Sequence, residues 1–169
     1  MPALKQLTME ERQTLLDVTE RLIEVDQRFK PFEFVLVTIL EKHLAKTSGQ
    51  IKPVRFRTFD AVLPEIRLLL STLARSGSAA KVQADAAFAR AILNFTPANM
   101  APAAEAACTM EGLRNALDRL ALLSPLLKRP IIQVCADCVL HDGLLQPEEG
   151  ELLRAVAERL DCPMPPLVA

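Results

Sequence analysis

The sequence has no tryptophan and no tyrosine, and seven phenylalanines are its only aromatic residues. Stretches alternating β-branched or aromatic residues with polar ones are few, which argues against strands. The five glycines are never clustered. That excludes a phosphate-cradling loop, a dinucleotide fingerprint and a nucleophile elbow, all of which need closely spaced glycines. His43 and His141 are the only histidines, and no HExxH pair is present. No zinc-peptidase site lies in this chain on that reading. Charge of one sign is missing too: 20 basic and 21 acidic side chains leave a net −1. Such a balance gives no global field for gripping nucleic acid, and none is expected as a partner. The longest uncharged stretch, Ala91 to Ala104, is interrupted by Asn94, Pro97, Asn99 and Pro102 and is too short to span a bilayer. No basic start followed by an apolar stretch and a cleavage site is seen. The chain is expected to be soluble in isolation, with no membrane span of its own.

What is present is apolar and helix-forming. Half of the 169 residues are hydrophobic, mainly Leu, Ala, Ile and Val. That content excludes extensive disorder. A chain of this length buries roughly two-thirds of its unfolded surface and needs neither disulfide nor metal to fold. One all-α domain over residues 1–169 is expected, a compact bundle of about seven helices. Cys108, Cys135, Cys138 and Cys162 have no framework spacing and read as reduced thiols in a cytosolic setting.

The helices can be placed from their punctuation. Thr8-Met9-Glu10-Glu11 reads as a capping box opening a first helix, which ends near Val25 or Asp26. Lys30-Pro31 restarts the chain, and a second helix runs to about Ala45. Phe34, Val35, Val37, Ile39 and Leu40 make it apolar on more than one side, which predicts a central position. A third helix starts between Thr58 and Pro64 and ends near Arg75, before a Ser76-Gly77-Ser78 turn. The fourth covers about Ala79 to Leu93, and a weaker helical stretch opens at Ala103. The fifth spans about Glu111 to Leu123. Ser124-Pro125 opens the sixth as N-cap and first helical residue. It runs to about His141, with Pro130 either kinking or splitting it, and it too is predicted central. The seventh runs from Pro147 to Asp161 and stops before Cys162-Pro163.

Two segments repeat each other. Val25-Asp26-Gln27-Arg28-Phe29-Lys30-Pro31-Phe32-Glu33 aligns with His141-Asp142-Gly143-Leu144-Leu145-Gln146-Pro147-Glu148-Glu149. Asp falls on Asp, Pro on Pro, Glu on Glu. Each segment predicts a helix hairpin, with Asp at one helix exit and Glu at the third position of the next helix. Around a pseudo-twofold axis Asp26, Glu33, Asp142 and Glu149 would converge. The favoured reading makes each Glu a cap at the positive helix end and each Asp a turn residue. Gly143 would supply the positive φ after a helix. The alternatives are a divalent-cation site, calcium or magnesium, of hard oxygen ligands, and a charged docking surface. The alternating acidic ligands of an EF-hand are missing from both segments.

Cys135-Ala136-Asp137-Cys138 has CxxC spacing, but it falls away from the start of a helix and lacks a second pair. Core packing is the reading, ahead of metal or redox chemistry. Lys52, Arg55 and Arg57, interleaved with Phe56 and Phe59, read as a solvated loop; the functional alternative is contact with phosphate or an acidic lipid surface.

The last third carries a resemblance. Leu126-Leu127-Lys128-Arg129, Cys135 to Gly143, Pro147 to Ala157 and Leu160-Asp161-Cys162-Pro163-Met164-Pro165-Pro166-Leu167 resemble the carboxyl-terminal region of bacterial HtpX-like, CAAX-prenyl-protease-type membrane zinc metallopeptidases. That region is similar to the tellurite-resistance TerB-like domain, an all-α fold with acidic residues in helix hairpins. The Asp26 to Glu33 hairpin resembles the first acidic motif of that family, with Gln27 where Gly is usual. The stretch from about Lys46 to Met110 shares only helical texture. The resemblance implies a piece of a longer membrane protein on the cytoplasmic side of the bacterial inner membrane. In it the chain would be a non-catalytic regulatory or protein-interaction domain, its partner a protein or the parent protease domain. The TerB likeness implies the alternative, a cation-binding or stress-sensing module using Asp26, Glu33, Asp142 and Glu149.

Overall fold

The opening capping box forms as its residues dictate. The Thr8 backbone N–H donates to Glu11 Oε2 at 2.8 Å, and the Glu11 N–H donates to Thr8 Oγ1 at 3.2 Å. The Thr8 N–H, and then the Thr8 hydroxyl, which donates to the same Oε2 at 3.0 Å, hold the Glu11 carboxyl below its ordinary pKa. The computed structural model describes residues 8, 10, 11, 14, 17, 18, 31–45, 53–77 and 80–167. Residues 10, 11, 14, 17 and 18 are helical, in keeping with the expected first helix, whose end near Asp26 lies outside the described residues.

The fold is all-α. Six helices follow among the described residues: α1 Pro31–Ala45, α2 Leu63–Gly77, α3 Lys81–Ile92, α4 Met110–Leu120, α5 Pro125–Val139 and α6 Pro147–Arg159. Short 3₁₀ turns at Asp60–Val62, Glu105–Ala107 and Leu140–Asp142 lead into or out of them. There is no strand among the described residues. A lone parallel bridge joins Phe56 to Leu123, with the Ser124 N–H donating to the Phe56 carbonyl at 3.0 Å. None of the helices is long and apolar enough to cross a membrane, among the described residues.

The centre of the bundle is α2, not α1. Helix α2 packs against α3, α4, α5 and α6, and Leu69 to Ala74 are buried without interruption. Two of those residues, Ser71 and Thr72, are polar. Each hydroxyl donates back into its own helix, Ser71 to the Arg67 carbonyl at 2.7 Å and Thr72 to the Leu68 carbonyl at 2.9 Å. Ser71 also accepts from the Ala103 N–H at 2.9 Å, which ties the 103–107 segment to the helix. Paired this way, the hydroxyls enter the core without the cost of an orphaned polar group. Among the described elements, helix α1 packs chiefly against α6. Among its described side chains, Phe34, Val35, Val37 and Thr38 are the buried ones.

Helix α5 is internal, as expected, with Ile131, Ile132, Val134, Cys135, Ala136, Cys138 and Val139 buried. It continues unbroken through Pro130. Pro130 lies in the second turn, so the carbonyl it deprives of a donor belongs to exposed Leu126 and can take water. Ser124 stands at the N-cap but makes no side-chain cap bond. Thr109 caps α4, accepting from the Gly112 N–H at 3.0 Å.

Candidate functional site

Helix α6 opens as Pro147-Glu148-Glu149, with Glu149 at its third position. The Gln146 N–H donates to Glu149 Oε2 at 2.8 Å, and the Glu149 N–H donates back to the Gln146 carbonyl at 3.1 Å. Asp142, in the preceding turn, accepts from the Leu144 N–H through Oδ1 at 2.9 Å. Gly143 takes φ 77° between them. A left-handed residue is what this helix exit requires, and glycine adopts it without a Cβ clash. Asp142 and Glu149 thus have the turn and cap geometry that their positions predict.

The burial of Glu149 was not legible in the sequence. Its side chain is 3% exposed. It lies on Gly77, the last residue of α2. A Cβ built on Gly77 would sit 1.5 Å from Glu149 Oε1. The carboxyl therefore meets the carbonyl end of α2, where the helix dipole is negative. Burial, opposed by the Gln146 N–H and reinforced by Asp142 and then Glu148, raises its pKa.

Glu33 holds the equivalent third position of α1, and α1 and α6, the second helices of the two repeats, pack on each other. Asp26 lies outside the described residues, as do Gln27 to Lys30. Among the described residues no group of three or more His, Cys, Asp or Glu side chains stands close enough to share a metal ion.

The CxxC cysteines are core residues of α5. Cys135 is completely buried and Cys138 nearly so. Burial first, then Cys138 and Asp137, pushes the Cys135 thiol up; burial, then Glu149 and Asp137, pushes the Cys138 thiol to about 12. Both are protonated at neutral pH and unsuited to nucleophilic or redox work. All four cysteines are free thiols.

One ion cluster binds α1 into the bundle. Glu41 receives both Arg114 of α4 and Arg159 of α6. Arg159 Nη2 also donates to both oxygens of Asp118, at 3.0 and 3.1 Å. Burial opposes the charge of Arg159, but Glu41 and then Asp118 more than offset it and raise its pKa.

No family model, curated protein or solved structure matches the chain. Function must be read from the molecule itself.

Its most unusual surface is on α1. Phe32 is 74% exposed and Leu36, one turn on, is 41% exposed. They lie on the side of the helix opposite Phe34 and Thr38. Residues four apart form a stripe along one helix face. The signal was present in the sequence as a helix apolar on more than one side. Reading that as a central position was the error: one apolar face packs on α6, and Phe32 and Leu36 on the other are exposed.

Proposed function

We propose that the protein is a non-catalytic interaction domain that binds a protein partner through α1. The exposed Phe32–Leu36 stripe carries this reading. Large apolar side chains clustered on one exposed helix face mark interaction surfaces more often than scattered single residues do. An apolar helix face of this kind seats in a partner's groove through anchors one turn apart. The ion cluster at Glu41 supports the same reading, because it fixes α1 to the bundle and presents the stripe on a rigid support. Asp142 and Glu149 enter the proposal as turn and cap residues rather than cation ligands. The membrane zinc metallopeptidase implied by the carboxyl-terminal motifs is, in this proposal, the parent or partner in which the domain works.

Site-specific photocrosslinking in cells tests it. A crosslinker at position 32 or 36 is expected to yield one discrete adduct with another protein. The same probe at exposed Val82 of α3 should yield none. A metallopeptidase in that adduct would support the proposed context. Equal adducts at all positions, or a crosslink from position 36 back into residues 8–30 of the same chain, would contradict it.

A further inference from the structure

Ten arginines lie among the described residues, and their surroundings divide sharply. Six are engaged. Arg67 and Arg75 donate to backbone carbonyls of the 101–103 segment. Arg114 and Arg159 pair with Glu41, Arg119 with Glu65 and Arg154 with Glu151. The other four, Arg55, Arg57, Arg90 and Arg129, are exposed and make no ion pair among the described residues.

These four share one end of the bundle. The backbone of Arg55 and Phe56 donates to the Leu122 carbonyl at 2.8 and 3.2 Å, so the 53–59 segment lies against the start of α5. Phe59 meets Phe95, just past the end of α3, edge to face at 5.0 Å between centroids. The last turn of α3 and the first turns of α5 therefore flank the 53–59 segment. Each of the three pieces pairs an exposed aliphatic with its arginine. Val54, 45% exposed, adjoins Arg55. Leu93, 61% exposed, is three residues from Arg90. Leu126, 86% exposed, is three residues from Arg129. Asp60 is the only carboxylate in residues 53–60, 90–95 and 122–129.

We infer that this end of the molecule docks on an anionic lipid surface. Unpaired cations complement the negative charge of such a surface, and each adds about fivefold to binding. The aliphatics decide between a lipid and a soluble acidic partner. They come from three separate segments, each beside a cation, as a planar interface with headgroups above and acyl chains below requires. Arginine's long stem lets its charge reach the headgroups while the neighbouring aliphatic enters the boundary. The inference stands apart from the α1 stripe and from any parent protein.

Co-sedimentation with phosphatidylcholine vesicles, with and without phosphatidylglycerol, tests it, at low and high salt and with soluble polyglutamate as comparison. The expected result is binding only when phosphatidylglycerol is present, weakened by salt. Replacing Arg55, Arg57, Arg90 and Arg129 with Ala should weaken it by about fivefold per residue. The triple variant Val54→Ser, Leu93→Ser, Leu126→Ser, with all arginines kept, should also lose binding while its melting temperature holds. Equal sedimentation with both vesicle types would overturn the inference. So would a triple serine variant that binds as well as the parent chain, or polyglutamate bound as tightly as the vesicles, which would assign the surface to an acidic protein.

Discussion

Glu149 occupies a position where ionisation is disfavoured, and Gly77 is the residue that makes room for it. Its cap role was legible, because Pro at the first and Glu at the third helical position is a recognisable signature. Its burial was not, because Ser76-Gly77-Ser78 reads as a turn, whereas Gly77 is the last residue of α2. Alanine is the better helix former, yet Gly77→Ala is expected to cost about 1–3 kcal/mol by forcing the carboxyl out of its cap. Urea denaturation checks this, and the cost should vanish when Glu149→Ala is added. The pH dependence follows from the raised pKa. The folded protein holds the Glu149 proton to higher pH than the unfolded chain, whose value is about 4.3. This contribution to stability is complete below the unfolded value and is lost as pH rises through the folded one. Glu149→Gln keeps the cap acceptor and is permanently neutral. It should match wild type near pH 4 and exceed it in stability near pH 7. A Gln variant less stable than wild type at neutral pH would contradict the assignment.

Helix boundaries were largely readable from Pro, Gly and capping residues, as was the burial of α5, but the central place of α2 was not. Helix α2 was hidden as the central element because Ser71-Thr72 interrupts its apolar run. Their hydroxyls bond back to the Arg67 and Leu68 carbonyls, a pairing visible only once the helix exists. Helix α1 misled in the other direction, since apolar residues on more than one side do not say what covers each face. Helix α5 carries its own irregularity. Pro130 removes a helical donor and crowds the Leu126 carbonyl, but only one turn from the helix start. Pro130→Ala is therefore expected to stabilise the protein, by about 1–3 kcal/mol, in thermal or urea unfolding. A destabilised alanine variant would show that the ring's packing outweighs the lost hydrogen bond.

At the scale of the whole molecule, the second helices of the two repeats, α1 and α6, each begin with Pro first and Glu third and lie against each other. The clamp between them was not foreseen. Glu41, Asp118, Arg114 and Arg159 come from three helices and are far apart in the chain. No local spacing announces such a cluster. The clamp holds α1 by one face and leaves Phe32 and Leu36 outside, and the account rests on those two residues serving a partner and not the core. Thermal unfolding of the Phe32→Ser, Leu36→Ser double variant, beside Phe34→Ala, tests this most directly. Phe34 is buried, and its removal should cost about 3–5 kcal/mol. At roughly 2–4 °C per kcal/mol, that is a fall of about 10 °C in Tm. The double variant should melt within about 2 °C of wild type, since exposed substitutions change stability by about 0.5 kcal/mol or less. A fall as large as that of Phe34→Ala would show that the stripe is buried by the protein itself and would contradict the account.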